Sequence, residues 1–196
     1  MALIAAEHDP VQYSYLPDAL PLSAFQTPWA GPPWAVEAPS AAFCLTWRVL
    51  DALKVRGVHL ATVTHAAGLS GTGDPALDAK LPLPERYDVP QATLDAIASA
   101  HARGGRVIAA GTSAARAIES AAHGPRSGIT SLRLGPETRL SLLDGLLSNV
   151  HGPGEPHFRL MTAFTDAASL TRTHARLVAS GALVHEFGDG MLVFAA

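Results

Sequence analysis

GGRVIAAGTSAARAIES, Gly104 to Ser120, reads as a short apolar strand that ends on Gly111 and turns through Thr112 and Ser113 straight into an alanine-rich helix. Gly111 lets the backbone approach a ligand, and Thr112 or Ser113 supplies a hydroxyl to cap the helix. The unpaired first-turn amides stand at the positive end of the helix dipole. The junction therefore has the geometry of an anion site, fit for a carboxylate or a phosphate. An ordinary strand-to-helix connection of an α/β domain accounts for the same residues, so the segments on either side have to decide.

Before this junction, a helix is predicted from Gln91 to about Arg103, stopped by Gly104 and Gly105, and another from near Thr46 to Arg56. The latter carries Leu45, Val49, Leu50 and Leu53 on one face and Gly57 as its stop. Val58 to His65 reads as a strand, and Gly68 to Pro84, rich in Gly and Pro, as a loop. After the junction, short strands are predicted at Ser131 to Leu134 and Arg139 to Leu143, then a helix from about Ala168 to Ser180 between Ser169 and Gly181. Two final strands, Ala182 to Phe187 and Met191 to Phe194, meet at a turn over Gly188 to Gly190. Strands outnumber a simple alternating pattern, so the expected fold is α/β, a single domain with a mixed β-sheet and packing helices. Residues 1–38, broken by prolines, are expected as an extended aromatic-rich segment laid over a domain of residues 39–196.

The chain has 196 residues, 48% of them hydrophobic, enough for one well-filled core. Its 14 Lys plus Arg, of which only Lys54 and Lys80 are lysine, face 17 Asp plus Glu, for a net charge of -3. Tight nucleic-acid binding rests on many phosphate contacts from a basic face, and none is visible. Arg103, Arg106 and Arg116 are candidates for a local patch around the anion site. No apolar run approaches the roughly 18 residues of a membrane helix. With Cys44 alone there is no disulfide framework, and a cytoplasmic protein with a buried, inert thiol is expected.

A second chemical feature is HGPGEPH, which presents His151, Glu155 and His157 in a loop opened by Gly152, Pro153, Gly154 and Pro156. Imidazole nitrogens and a carboxylate are the donor set of catalytic zinc sites, where three protein ligands leave one position open. The spacing permits a shared ion without requiring one, and a loop histidine commonly makes one ordinary hydrogen bond instead. His65 at a strand end and His185 in HEF are the candidates elsewhere for completing the set. Gly188 and Asp189 read locally as turn residues. Asp144 and Asn149 flank a Gly145, Leu146, Leu147 run and either cap strand ends or hold a ligand ribose. Glu119 lies two turns along one helix face from Thr112 and reads as structural.

Six segments in collinear order add a resemblance: FQTPWA (Phe25 to Ala30), AVEAPSAAFCLT (Ala35 to Thr46), ERYDVP (Glu85 to Pro90), the strand-turn-helix, LLDGLLSNVHGP (Leu142 to Pro153) and HEFGDGMLVF (His185 to Phe194). Together they resemble the S-adenosylmethionine:tRNA ribosyltransferase-isomerase family of queuosine biosynthesis, over nearly the whole chain from about Tyr13. The resemblance implies the main domain of that fold without its inserted barrel domain, since family members are considerably longer and this chain looks like their C-terminal half or so. It diverges where the family's Pro-Thr-Ala-Gly-Leu-His becomes Pro39, Ser40, Ala41, Ala42, Phe43 and Cys44, and where His-Ser-Glu becomes Leu83, Pro84 and Glu85. Only His151 falls on a characteristic histidine; His157 stands where the family usually has a hydroxyl.

The resemblance further implies a site for S-adenosylmethionine, whose ribosyl part the family moves onto a modified guanine in tRNA with release of adenine and methionine. Its carboxylate is expected at Gly111, Thr112 and Ser113 with Arg116 nearby, and its adenosine against Asn149, Gly188 and Asp189, which match a characteristic Gly-Asp. The charge balance argues against tRNA as the substrate of this chain acting alone. The leading expectation is therefore a small-molecule enzyme, a lyase, cyclase or transferase using S-adenosylmethionine as substrate. Zinc held by His151 and His157 would chelate the amino-acid end, Glu155 or Glu186 would take the α-proton, and the carbanion would displace methylthioadenosine to give 1-aminocyclopropane-1-carboxylate. Ribosyl transfer to a small acceptor is a variant. The alternatives are half of a split tRNA ribosyltransferase-isomerase whose second chain supplies the missing domain, and a noncatalytic remnant that binds a partner through Tyr15, Phe25, Trp29 and Trp34, a patch that a homodimer would also cover.

Overall fold

The computed structural model describes residues 16–25, 27–29, 35, 37–71, 74–185 and 187–195. After short 3-10 turns at Leu22–Phe25 and Ser40–Ala42 comes helix α1, Trp47–Val55, followed by strand β1, Thr64–His65, and a one-turn helix α2, Pro75–Asp78. Strand β2 is Glu85–Asp88, helix α3 Gln91–Ala102, strand β3 Ile108–Ala110, helix α4 Thr112–His123 and strand β4 Ser127–Thr130. Strand β5, Gly145–Asn149, helices α5, Pro156–Met161, and α6, Ala167–Ala179, and strand β6, Gly190–Phe194, complete the chain.

Helix boundaries follow local chemistry. The Thr46 hydroxyl accepts from the Val49 amide and opens α1, while Gly57 at φ 77° closes it. Gly104 at φ 69° does the same after α3. Helix α6 is capped by Asp166, whose carboxylate accepts from Ser169 N at 2.8 Å, so Ser169 is the recipient of the cap expected of it. Proline at the first position starts α5, inside the segment expected to stay irregular.

The strands form two three-stranded sheets around α4 rather than one. The mixed sheet runs β3-β5-β6, with β3 parallel to β5 and β6 antiparallel to it. The other, β1-β2-β4, is antiparallel throughout. Helix α4 packs against strands of both. Its Ala115 and Ile118 join Ala109 and Leu146 of the mixed sheet and Met161 and Leu170 of the last helices in one apolar core. At roughly 25 cal/mol per Å² of apolar surface removed from water, such burial is the largest favourable contribution holding the layers together.

Three predicted strands are absent, because their backbone groups are engaged elsewhere. The Glu119 carboxylate, 1% exposed, accepts from the amides of Ser141, Leu142 and Leu143, so the 139–143 segment has a side chain for a partner instead of a ladder. Leu132 gives its carbonyl to Arg116 Nε and its amide to Thr130 Oγ1. Leu183 N donates to the Asp189 carboxylate and His185 N to Val150 O, so residues 182–185 form a loop rather than a strand. Three strands stand where none was expected: β2 at Glu85–Asp88, β4 at Ser127–Thr130 and β5 at Gly145–Asn149. No helix of the described residues is long and apolar enough to cross a membrane.

Candidate functional site

Parallel pairing of β3 with β5 sets the C-terminal ends of the two strands side by side, the place where α/β sheets open toward ligands. A cleft lies there. It is walled by Gly111, Thr112, Ser113 and Arg116 from the start of α4, by Ser148 and Asn149 from the end of β5, and by Ser40. His65 and Glu85 come from the antiparallel sheet, and His151, His157 and Arg159 from the segment after β5.

Gly111 occupies the N-cap of α4 at φ 99°, a conformation that strains any residue with a Cβ. The first bond of the helix runs from Ala115 N to Gly111 O, 3.0 Å, which leaves the preceding first-turn amides without helical partners beside the cleft. No side chain caps the helix. The cap expected from Thr112 or Ser113 is not made, because the Ser113 hydroxyl donates to Glu85 Oε1 at 3.2 Å. Across the cleft, Ser40 Oγ donates to Asn149 Oδ1 at 3.2 Å.

Arg116 lines the cleft with its guanidinium already engaged. Nη1 lies 2.7 Å from Glu85 Oε2, Nε donates to Leu132 O and Nη2 to Leu83 O. Burial lowers its pKa, and the Glu85 carboxylate opposes that shift. Its place is thus to hold Glu85 and two loops rather than to grip a ligand alone. Arg103 and Arg106 do not share the site: Arg103 bonds Ser99 on its own helix, and Arg106 lies over the Phe194 ring at 4.3 Å.

The metal candidates divide. Among the described residues, His151, Glu155 and His185 bring ligand atoms within 4.8 Å of one another. His65 and His157 do not join them. His65 lies beside the Glu85 and Arg116 pair with Nδ1 buried and unbonded, and burial keeps its imidazole below the usual pKa, Glu85 pulling up and Arg116 down. The His157 ring packs on His151 with centroids 4.5 Å apart. Burial, reinforced by His151, lowers its pKa to about 3. It is a neutral ring at physiological pH.

The catalytic-base candidates are differently placed. Glu155 turns away from the cleft lining: Oε2 meets His151 Nδ1 at 2.9 Å and Oε1 accepts from Gly152 N at 3.0 Å. Burial raises its pKa, but His151 and the Gly152 amide outweigh that and hold it below the usual range. Glu186 lies outside the described residues, as do Tyr15 and Trp34 of the expected apolar patch. Phe25 of that patch is buried against Phe187, ring centroids 5.1 Å apart.

Gly188 and Asp189 do not line the cleft either. Asp189 accepts from Leu183 N at 2.9 Å, and a Cβ on Gly188 would sit 2.5 Å from Leu183 O, so both serve the turn. Asp144 caps a strand end by accepting from Val107 N at 2.7 Å. Cys44 is exposed, not buried, with Sγ 3.5 Å from Ala41 O. Glu37 and Arg159 line the cleft without having been expected there; Ser40 stood out in the sequence as a departure from a family pattern, and Glu85 as the one residue retained from another. The retained carboxylate at Glu85 was the available signal; Glu37 and Arg159 carry none.

Residues 4–193 match the family described as queuosine biosynthesis protein. The S-adenosylmethionine:tRNA ribosyltransferase-isomerase of Acidithiobacillus ferrooxidans is 39% identical over 177 residues, which span 86% of this chain and 51% of that protein. The enzyme of the same name from Sorangium cellulosum is 36% identical over 187 residues, 90% of this chain and 50% of its own length. The crystal structure of S-adenosylmethionine tRNA ribosyltransferase from Thermotoga maritima matches with a TM-score of 0.66 at 27% identity, covering 79% of this chain and 51% of that one. The chain spans about half the length of these relatives.

Two expectations are corrected by these likenesses. The relatives are named for tRNA, which overturns the expectation of a small-molecule substrate with tRNA unlikely for this chain alone, and favours the alternative of half of a split enzyme. Zinc-assisted closure to a cyclopropane amino acid finds no support among enzymes named for ribosyl transfer and isomerisation. The family expected from the six segments is the one found, and the chain belongs to the queuosine biosynthesis protein family.

Proposed function

We propose that this chain takes part in ribosyl transfer from S-adenosylmethionine to tRNA, working with a counterpart of the half of its relatives that it does not match, and that the cleft at the start of α4 is the donor site. One observation carries this reading. The Gly111 N-cap leaves first-turn amides without a side-chain cap beside a cleft that also holds Ser40 and Asn149. An amino-acid carboxylate fits the amides and the helix dipole. The Ser40 hydroxyl and the Asn149 amide supply the paired donors and acceptors that ribose hydroxyls need. The Glu85 carboxylate, held by Arg116, keeps Ser113 oriented at the helix start.

Charge also fits a shared role. A net charge of -3 gives this chain little to grip a polyanion with, so most phosphate contacts fall to the counterpart. The test is an assay with S-adenosylmethionine and tRNA, run with the chain alone and with a truncated relative supplying the other half. Adenine released only in the mixture is expected. Methylthioadenosine released by the chain alone, with no dependence on tRNA, would overturn the reading.

A further inference from the structure

We propose that His151, Glu155 and His185 form a binding site for one divalent transition-metal ion of the zinc class beside the cleft. The inference does not depend on the donor proposed above, because it concerns side chains that the donor site does not use.

Two imidazoles, His151 four residues before Glu155 and His185 from a later loop, converge on the Glu155 carboxylate. His151 Nδ1 is 2.9 Å and His185 Nδ1 3.8 Å from Glu155 Oε2, and one donor atom from each residue falls within a 4.8 Å set. Around a tetrahedral zinc with bonds of about 2.1 Å, donor atoms stand about 3.4 Å apart. The two distances to Oε2 lie on either side of that value and the set as a whole is wider, so binding an ion would draw the side chains inward. Two imidazoles and a carboxylate select zinc-like ions over calcium or magnesium, which prefer all-oxygen shells. Three protein ligands leave a fourth position open.

Backbone contacts tie the three together. His185 is the one non-glycine among the described residues at positive φ, 69°, and its amide donates to Val150 O, which ties its loop to the residue before His151. Gly152, whose amide donates to Glu155 Oε1, has little room for a side chain: a Cβ would lie 3.2 Å from that oxygen and 3.1 Å from His174 Nε2. His151 is 4% exposed and is the member that also lines the cleft, so an ion here would lie at the cleft's edge. Besides the His151–Glu155 hydrogen bond, His185 approaches the same oxygen, so one carboxylate oxygen faces two imidazoles.

The experiment uses the full chain stripped with chelator, then titrated with Co²⁺ and Zn²⁺ alone. Tetrahedral Co²⁺ gives visible d–d absorption, a signal that folding alone does not produce. Saturation at one equivalent, displaced by Zn²⁺, with binding weakened at least tenfold in His185→Gln and in Glu155→Gln and unchanged in His65→Gln, is the expected result. No saturable absorption in the wild-type chain would overturn the proposal, and so would binding that survives both ligand substitutions. The wild-type titration decides even where a variant fails to fold, and none of its readings depends on S-adenosylmethionine or tRNA.

Discussion

Arg116 and Glu85 form an ion pair with Nη1 and Oε2 2.7 Å apart and side chains only 2% and 8% exposed, at the floor of the cleft. Charges this far from water are tolerated because they face each other and have further partners: Arg116 donates to two loop carbonyls and Glu85 Oε1 accepts from Gly68 N and the Ser113 hydroxyl, while buried Oε2 depends on the Arg116 charge. Breaking such a pair from one side leaves an uncompensated buried charge. Glu85→Gln and Arg116→Met are each expected to cost about 3 kcal/mol in urea unfolding. The double variant should cost less than the sum of the two, because the remaining charge is gone.

Asp144 predicts an acid limb. Burial raises its pKa, but the Val107 amide and His101 more than offset this and leave it below the usual carboxylate range. A carboxylate whose folded pKa is depressed contributes stability above its unfolded pKa of about 3.9 and loses it as pH falls through the folded value. Asp144→Asn should therefore lower stability at pH 7, by about 1 kcal/mol for a half-exposed group, and leave the profile flatter below pH about 4. Unfolding curves at a series of pH values measure this.

His65 acts in a higher window. Its folded pKa is lowered, chiefly by burial. The stability tied to the neutral ring is full above the unfolded pKa of about 6.5 and declines as pH drops below it toward the folded value. The same unfolding series on His65→Gln should lack this decline. A profile identical to the wild type between pH about 6.5 and 5 would contradict it.

Gly188→Ala separates a turn residue from a ligand contact. The new Cβ would meet Leu183 O at 2.5 Å and Val184 O at 2.6 Å, which forces the turn apart. A loss of about 1 to 3 kcal/mol is expected. Where the variant remains folded, its affinity for S-adenosylmethionine should stay close to that of the wild type.

Much of the frame was legible in the sequence, for local reasons. The strand-turn-helix at Gly104 to Ser120 announces itself because Gly111, the alanine run and the Gly104–Gly105 stop act within a few residues. Helix α1, with Thr46 and Gly57, and helix α3 are equally local. What escaped was decided by partners distant in sequence. Glu119 takes the amides of residues 141–143, Arg116 the carbonyls of Leu83 and Leu132, and β5 becomes central only through pairing with both β3 and β6. The histidines show the same division: their donor chemistry is plain in HGPGEPH, but the assembly of His185 with His151 and Glu155, and the separation of His65, depend on how loops close.

The cleft at the start of α4 is the place where S-adenosylmethionine should bind, and everything proposed for catalysis follows from that. Calorimetric titration of the compound into the wild-type chain and into Asn149→Leu tests it directly. One site per chain is predicted, weakened at least tenfold by the substitution while thermal unfolding shows the variant folded. Absence of binding to the wild type, or equal affinity in both proteins, would contradict it.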